Sequence, residues 1–173
     1  MDQLGLDRVL LVPTGRAPHK VIEDNPGAEV RMRLTELAAE GEERIQASDI
    51  EVRRQGLSYT YLTLEELVDE DPDRELTFLM GADMAAALPS WEKPERVVEL
   101  ARLGIAARPG VDLADVETAL QQVGAAGRAE IIAMPECEIS SSMVRERAAA
   151  GEPLEGLVPA PVAEMIEREG LYR

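Results

Sequence analysis

The sequence predicts an α/β fold in which a mostly parallel, doubly wound sheet is covered by helices on both faces. Short apolar runs of strand length, such as residues 9–12 and 131–134, alternate with segments whose apolar residues recur at helical spacing. No repeat, linker or low-complexity stretch interrupts the alternation over the 173 residues. Because such alternation is typical of βαβ units, we expect a single domain spanning residues 1–173.

The first third of the chain contains two predicted strand–helix pairs. Strands are predicted at residues 9–12 and 45–52, and helices at about residues 30–41 and 61–68, with Thr60 as the cap of the second helix. A loop rich in proline and glycine separates the first strand from its helix.

The same pattern continues to the C-terminus. Strands are predicted at residues 76–80, 105–107 and 131–134. The helices predicted here are a short one opened by Asp83, one from Pro94 that Gly104 ends, one from Leu113 to Gly124, one after Ser142, and one from Pro161 to Gly170.

Composition limits which partners the protein is expected to bind and which cellular compartment it is expected to occupy. The formal net charge is −16, and a surface that acidic repels nucleic acids and anionic lipid, so we expect neither as a partner. The longest apolar runs are too short to cross a bilayer, and the N-terminus has no signal-peptide pattern. With one cysteine and no zinc-type cluster, the chain is expected in the reducing cytoplasm. A homo-oligomer is compatible with the sequence.

Two segments after predicted strands carry groups suited to phosphate. In parallel sheets ligands bind at the carboxyl ends of the strands. His19 and Lys20 lie in the loop after the first strand, where the alternative is a solvated surface loop. The serine run 140–142, followed by Arg145, opens a helix after the last strand. One serine would serve as an N-cap, but the whole group favours a phosphate site at a helix N-terminus.

Other segments offer groups for an aromatic or hydroxylated ligand. Asp83, two residues after Gly81, is either a hydrogen-bond acceptor for a ligand or an N-cap. Trp91 is the only tryptophan and stands between polar residues, so its ring either packs half-buried or stacks on a ligand. Residues 58–60 alone predict no more than a turn and a helix start. No Walker A sequence and no G-x-G-x-x-G is present.

Taken together, these segments resemble the bacterial nicotinate mononucleotide adenylyltransferases over essentially the whole chain from about Leu6. The matching motifs, in the family's order and spacing, are Pro-Thr-Gly-x-x-Pro-His-Lys (13–20), Ser-Tyr-Thr (58–60), Gly-x-Asp (81–83) with Ser-Trp (90–91), Arg-Pro-Gly (108–110), Ile-Ser-Ser-Ser-x-Val-Arg (139–145) and Gly-Leu-Tyr-Arg (170–173).

The resemblance implies a nucleotidyltransferase-type, Rossmann-like fold and the synthesis of deamido-NAD and pyrophosphate from ATP and nicotinate mononucleotide, with Mg²⁺. It also implies the roles of individual residues. Those implied to hold the ATP phosphates or the nucleotide are His19, Lys20, Asp83, Ser140, Ser141, Ser142 and Arg145, with Lys20 and Arg145 as catalytic cations. Those implied to bind nicotinate mononucleotide are Tyr59, Thr60, Trp91 and Glu92. The resemblance implies no metal ion held by protein ligands alone.

The chain departs from the family in its histidines. The family opens with a strand and a Gly-x-Phe-x-Pro-x-His-x-Gly-His loop, whereas this sequence contains one histidine, His19. The first residues resemble the end of a helix that follows this loop, so we expect the first strand to be missing by N-terminal truncation. We therefore expect weak or no activity from the 173 residues alone. The alternatives are a non-catalytic nucleotide-binding protein, or an adenylyltransferase for nicotinamide mononucleotide or phosphopantetheine.

Overall fold

The structure is a computed structural model, and the chain folds into two compact units. Residues described are 1–18, 25–107, 112–135 and 137–173. Unit 1 comprises residues 1–6 and 59–136, and unit 2 comprises residues 7–58 and 137–173. The single domain predicted over the whole chain stays a prediction, since two compact units can belong to one domain.

Strands and helices alternate along the chain. The strands are β1 (Val9–Leu11), β2 (Ile45–Ala47), β3 (Thr77–Gly81), β4 (Arg102–Ala107) and β5 (Ala129–Ala133). The helices are α1 (Ala28–Ala39), α2 (Ile50–Arg53), α3 (Thr60–Glu70), α4 (Ala82–Ala86), α5 (Pro94–Leu100), α6 (Ala114–Gln122), α7 (Ser141–Ala150) and α8 (Ala160–Glu169). Single 3₁₀ turns occur at Asp2–Leu4 and Leu88–Ser90.

Unit 1 is built on a three-stranded parallel sheet in the order β3-β4-β5. Apolar side chains of the strands share one buried core with apolar side chains of α3, α4, α5 and α6. The core side chains that are almost wholly buried include Leu88, Val97, Leu103, Ile105 and Val116. Arg96 of α5 pairs with Glu65 of α3 at 2.8 Å, which links these two helices at the surface.

Unit 2 is built on the parallel pair of β1 and β2, with Val9 opposite Ile45. Helix α1 packs against β2 and against α8. Apolar side chains of α1, α7 and α8 share one cluster, which includes Leu34, Leu37, Val144, Val162 and Ile166. At its edge, Arg33 of α1 donates to Glu169 of α8 at 2.7 Å.

The predicted α/β class is confirmed, because every pair of strands described is parallel and helices lie along the sheets. The described strands form two sheets, of two and three strands, rather than the one sheet that the sequence predicts. Three local predictions are wrong. The second strand ends at Ala47 rather than at residue 52, and α2 follows it. Gly104 does not end α5 but lies inside β4. Thr60 is the first residue of α3 rather than its cap, a position that Tyr59 occupies.

These differences have local physical causes. Ile50 is 1% exposed, and it reaches the interior by turning into a helix, which overrides the strand preference of β-branched residues. Gly104 lies where Leu79 and Leu4 pack on the sheet, so that a Cβ there would come within 2.5 Å of Leu79 and 2.8 Å of Leu4. Among the residues described, no helix has the length and apolar character needed to cross a membrane.

Candidate active site

The start of α7 carries the predicted phosphate-binding serines. Ser140 occupies the N-cap position in extended conformation, and its Oγ accepts a hydrogen bond from the Met143 N–H at 3.2 Å. Ser142 Oγ accepts from Nη2 of Arg145 at 3.2 Å. The three serines are exposed, and Arg145 is half-buried. The helix therefore presents hydroxyl groups, a guanidinium and its positive dipole end at one place.

Tyr172, in the terminal Gly-Leu-Tyr-Arg motif, lies near two arginines of unit 2. Burial raises the pKa of its phenol above the ordinary value of 10.0, and the positive charges of Arg145 and Arg31 oppose that increase. The Tyr172 backbone is left-handed, with φ 68°. The charges of Arg31 and Arg145 thus act on the same phenol. The sequence alone predicted no role for Arg31.

The segment after β1 is held closely against another part of unit 2. A Cβ on Gly15 would overlap the backbone carbonyl of Glu51, so only glycine allows this approach. Arg16 and Ser58 form two bonds: the Arg16 N–H donates to Ser58 Oγ at 3.1 Å, and the Ser58 N–H donates to the Arg16 carbonyl at 2.8 Å. His19 and Lys20, which follow this segment, lie outside the described residues.

A concave surface that encloses a volume of about 770 Å³ adjoins the segment after β1. It is lined by residues 12–17, Asn25, Arg31, Leu34 and Thr35. The described lining contains two arginines and no carboxylate, in a chain whose net charge is −16. Positive charge is therefore concentrated here, as binding of a phosphorylated ligand requires.

In unit 1, Tyr59 and Thr60 form the start of α3. Tyr59 is extended at the N-cap position and makes no side-chain cap bond, which leaves the N–H groups of the first turn without a side-chain acceptor from that residue. The rings of Tyr59 and Tyr61 stack with centroids 6.1 Å apart. The ammonium of Lys93 lies 4.4 Å from the Tyr61 centroid, a cation–π contact that the sequence did not predict.

Trp91 lies half-buried after the 3₁₀ turn Leu88–Ser90. Its ring meets Phe78 of β3 edge to face, with centroids 5.9 Å apart and an interplanar angle of 82°. Glu92, the next residue, is exposed. The indole therefore packs against Phe78 and the core of unit 1, and its accessible fraction leaves room for a second aromatic contact.

Asp83 lies in the first turn of α4, whose N-cap is Gly81. A Cβ on Gly81 would lie 2.6 Å from Oδ1 of Asp83, so the carboxylate folds back over the glycine. The cap position thus belongs to Gly81, and the exposed Asp83 carboxylate is available to a ligand.

The structure brings some predicted residues together within each unit. In unit 2 the serine run and Arg145 share the start of α7. In unit 1, Tyr59 and Thr60 share the start of α3, whereas Trp91 and Glu92 follow the 3₁₀ turn. Among the described residues, no group of three or more His, Cys, Asp or Glu side chains could hold a metal ion.

Sequence reasoning missed two groups in unit 2, Arg31 and the hydroxyl of Ser58. The Ser-Tyr-Thr motif pointed to Ser58, but only as part of a turn. Helical periodicity puts Arg31 and Arg33 on different faces of α1, but the sequence does not show what each face meets. Only the direction in which each side chain leaves α1 separates their contacts.

Comparison with known proteins identifies relatives along the chain. The cytidylyltransferase-like family matches residues 1–147. A probable nicotinate-nucleotide adenylyltransferase from Thermomicrobium roseum is 40% identical over 173 residues, covering 99% of this chain and 80% of that protein. A protein of the same description from Streptococcus pneumoniae is 36% identical over 171 residues, covering 99% of this chain and 77% of that protein.

Solved structures agree on the fold. The Plasmodium falciparum nicotinic acid mononucleotide adenylyltransferase complexed with NaAD has a TM-score of 0.74 at 18% identity, covering 96% of this chain and 83% of that one. A Vibrio parahaemolyticus structure described as a putative nicotinate-nucleotide adenylyltransferase has a TM-score of 0.63 at 22% identity, covering 96% and 79%. At these identities the likeness establishes a shared fold.

Proposed function

This chain belongs to the nicotinate-nucleotide adenylyltransferase family, and we propose that it transfers the adenylyl group of ATP to nicotinate mononucleotide. The observation that carries the proposal is the start of α7, where Ser142 and Arg145 are joined by a hydrogen bond and three hydroxyls face solvent. A helix N-terminus with hydroxyls and a guanidinium is suited to the oxygens of a triphosphate.

In the proposed reaction, a phosphate oxygen of nicotinate mononucleotide attacks the α-phosphorus of ATP. The bond from the α-phosphorus to the bridging oxygen breaks, and pyrophosphate leaves with that electron pair. No covalent enzyme intermediate is needed, so catalysis consists of positioning two polyanions and stabilising the charge on the attacking and leaving oxygens. Mg²⁺ is proposed to enter as the ATP complex and to supply charge neutralisation on the phosphates.

Unit 2 is proposed to bind the phosphates of ATP. In unit 2, Ser140, Ser141 and Ser142 are proposed to donate to phosphate oxygens, and Arg145 to stabilise charge that develops on them. His19 and Lys20 retain their proposed role at the phosphates through the family motif. Support for the α7 residues comes from their exposure and from the bond that orients Arg145.

Unit 1 is proposed to bind nicotinate mononucleotide. Main-chain N–H groups at the start of α3, around Tyr59 and Thr60, are proposed to receive the carboxylate, which the helix dipole favours over a neutral amide. Trp91 is proposed to stack on the pyridine ring, with Glu92 beside it. Asp83, in contrast, is proposed to accept a hydrogen bond from a hydroxyl of ATP. The accessible fraction of Trp91 and the exposed Asp83 carboxylate support these roles.

Pyrophosphate release from ATP and Mg²⁺ tests the proposal, with nicotinate mononucleotide, nicotinamide mononucleotide and phosphopantetheine compared as acceptors. Because the sequence contains one histidine and lacks the family's Gly-x-Phe-x-Pro-x-His-x-Gly-His motif, we expect slow release, but faster release with nicotinate mononucleotide than with either other acceptor. Arg145→Gln should lower kcat by about 10²-fold, the scale for removal of a preorganised donor. Arg147→Gln is the matched control, because Arg147 lies on the same helix but pairs with Glu152 at 3.3 Å. Equal turnover of the nicotinamide form would refute the substrate assignment.

The alternative function is nucleotide binding without catalysis, and the single histidine of the sequence favours it. Calorimetry distinguishes the two functions. Binding of nicotinate mononucleotide with no pyrophosphate release in the presence of ATP and Mg²⁺ would establish the alternative. Release at a rate that depends on both substrates would exclude it.

A further inference from the structure

Arg31, on the first turn of α1, makes an unusual set of contacts for a helix-surface arginine. Its Nη2 donates to the carbonyl of Thr14, and also to that of Gly15 at 3.2 Å. Its Nη1 donates to Oδ1 of Asn25, whose side chain also accepts from the Gly27 N–H at 3.1 Å. One guanidinium thus joins the backbone of Thr14 and Gly15 to the side chain of Asn25, which lies 11 and 10 positions further along the chain.

The planar guanidinium is what makes this arrangement possible. Arginine presents several N–H donors in a rigid fork, so one side chain can serve acceptors on two segments at once. Hydrogen bonds from a charged donor are stronger than neutral ones, which favours a fixed geometry. The Thr14–Arg16 segment is also held by the close approach of Gly15 to Glu51 and by the two hydrogen bonds between Arg16 and Ser58.

We propose that Arg31 is a positioning residue that holds the Thr14–Arg16 backbone and Asn25 in the arrangement used to receive the phosphates of ATP. The inference rests on the proposed function, since it is the Pro-Thr-Gly-x-x-Pro-His-Lys motif that assigns this loop to the phosphates. Arg31 acts through the backbone atoms that it binds. The concave surface that Arg31 lines has two arginines and no carboxylate among its described residues, and its charge therefore suits that ligand.

Arg33 provides a matched control on the same helix. It lies two positions further along α1 and pairs with Glu169, with a side chain that is 53% exposed. Arg31→Gln and Arg33→Gln remove the same charge from the same helix, so a difference between them reports the contacts of Arg31. Asn25→Ala and Asn25→Asp test the bond from Arg31 to Asn25. Alanine removes the oxygen that accepts from the guanidinium, whereas aspartate keeps one.

The experiment combines ATP·Mg²⁺ calorimetry with hydrogen exchange at the Arg16 and Ser58 amides, on the full chain. We expect Arg31→Gln to weaken ATP binding about tenfold or more, the scale of one charge-assisted hydrogen bond, and to speed exchange at both amides. Arg33→Gln should match the wild type in both measurements. Asn25→Asp should match it in hydrogen exchange alone, because its added carboxylate repels the ATP phosphates. Asn25→Ala should speed exchange less than Arg31→Gln does. If Arg31→Gln does not fold, the exchange rates of the two Asn25 variants make the same comparison.

Results for Arg31 and for the proposed function are separable. Unchanged exchange in Arg31→Gln, or equal changes in Arg31→Gln and Arg33→Gln, would overturn the positioning role. If the wild type binds ATP but releases no pyrophosphate with any acceptor, the proposed reaction fails, while ATP affinity and exchange still decide the role of Arg31. A wild type that binds no ATP overturns both.

Discussion

The serine run at the start of α7 allows stability and ligand binding to be measured apart. Ser140 is the residue that caps the helix, since its Oγ accepts from the Met143 N–H at 3.2 Å. Loss of an N-cap hydroxyl costs about 1 kcal/mol, which in a chain of this size lowers Tm by roughly 2–4 °C. Ser140→Ala should therefore lower Tm by that amount, and it should also weaken ATP binding, because the same hydroxyl is proposed to donate to a phosphate oxygen.

Ser141→Ala should behave differently, because Ser141 is already inside the helix and its side chain is exposed. Alanine is the better helix former, so the free energy of unfolding should stay within about 0.5 kcal/mol of the wild type. ATP affinity should nevertheless fall by roughly 2- to 12-fold, the range of one net hydrogen bond of about 0.5–1.5 kcal/mol.

Urea unfolding and ATP·Mg²⁺ calorimetry on the two variants provide the comparison. Ser142→Ala, which removes the acceptor of the Arg145 bond at 3.2 Å, should follow Ser141→Ala by losing ATP affinity with little loss of stability. If Ser141→Ala destabilises the chain as much as Ser140→Ala does, or leaves ATP affinity unchanged, the assignment of cap and ligand roles within the run is wrong.

Three further predictions test other parts of the structure. Gly15→Ala should lower the free energy of unfolding by roughly 1–3 kcal/mol, because the new Cβ overlaps the backbone carbonyl of Glu51. Gly104→Ala should lower it by less, because the Cβ there meets only the ends of side chains. Equal losses in urea unfolding would contradict this reasoning. Trp91→Ala should weaken nicotinate mononucleotide binding by roughly 2- to 12-fold and leave ATP affinity unchanged in calorimetry; an unchanged affinity for the acceptor would make Trp91 a packing residue. Burial raises the pKa of the Tyr172 phenol above its ordinary value of 10.0. Above pH 10 the folded state therefore keeps the phenol proton that the unfolded state has lost. The free energy of unfolding falls as the pH rises through the folded-state pKa. Thermal melts at pH 9 and pH 11 should therefore show a larger loss for the wild type than for Tyr172→Phe, and equal losses would count against the burial of the phenol.

The sequence predicts the order of elements well because apolar periodicity is a local property. Its failures occur where a contact distant in sequence decides the local conformation. Ile50 is β-branched and follows a strand, yet it reaches the core by turning into α2. Gly104 has the character of a helix stop, but its missing Cβ gives Leu79 and Leu4 space to pack on β4.

In the candidate site, too, features set by consecutive residues could be predicted, and features set by distant contacts could not. The serine run could be predicted as a helix start, because capping depends on a few consecutive residues, and the structure assigns the cap to Ser140. The contacts of Arg31 with Thr14 and Gly15 could not be predicted, since they depend on how α1 lies beside a loop 16 and 17 positions earlier. Side-chain direction of this kind is a tertiary property.

The discontinuity of unit 2 has a consequence for synthesis on the ribosome. Arg33 of α1 and Glu169 of α8 are 136 positions apart, and at about 5–20 residues per second their translation is separated by roughly 7–27 s. During that interval Leu34 and Leu37 have none of their α8 contacts, whereas most of unit 1 is one continuous segment that emerges earlier. Unit 2 therefore completes its core last, and a nascent chain that stops before residue 160 leaves the apolar face of α1 open to chaperones and to aggregation.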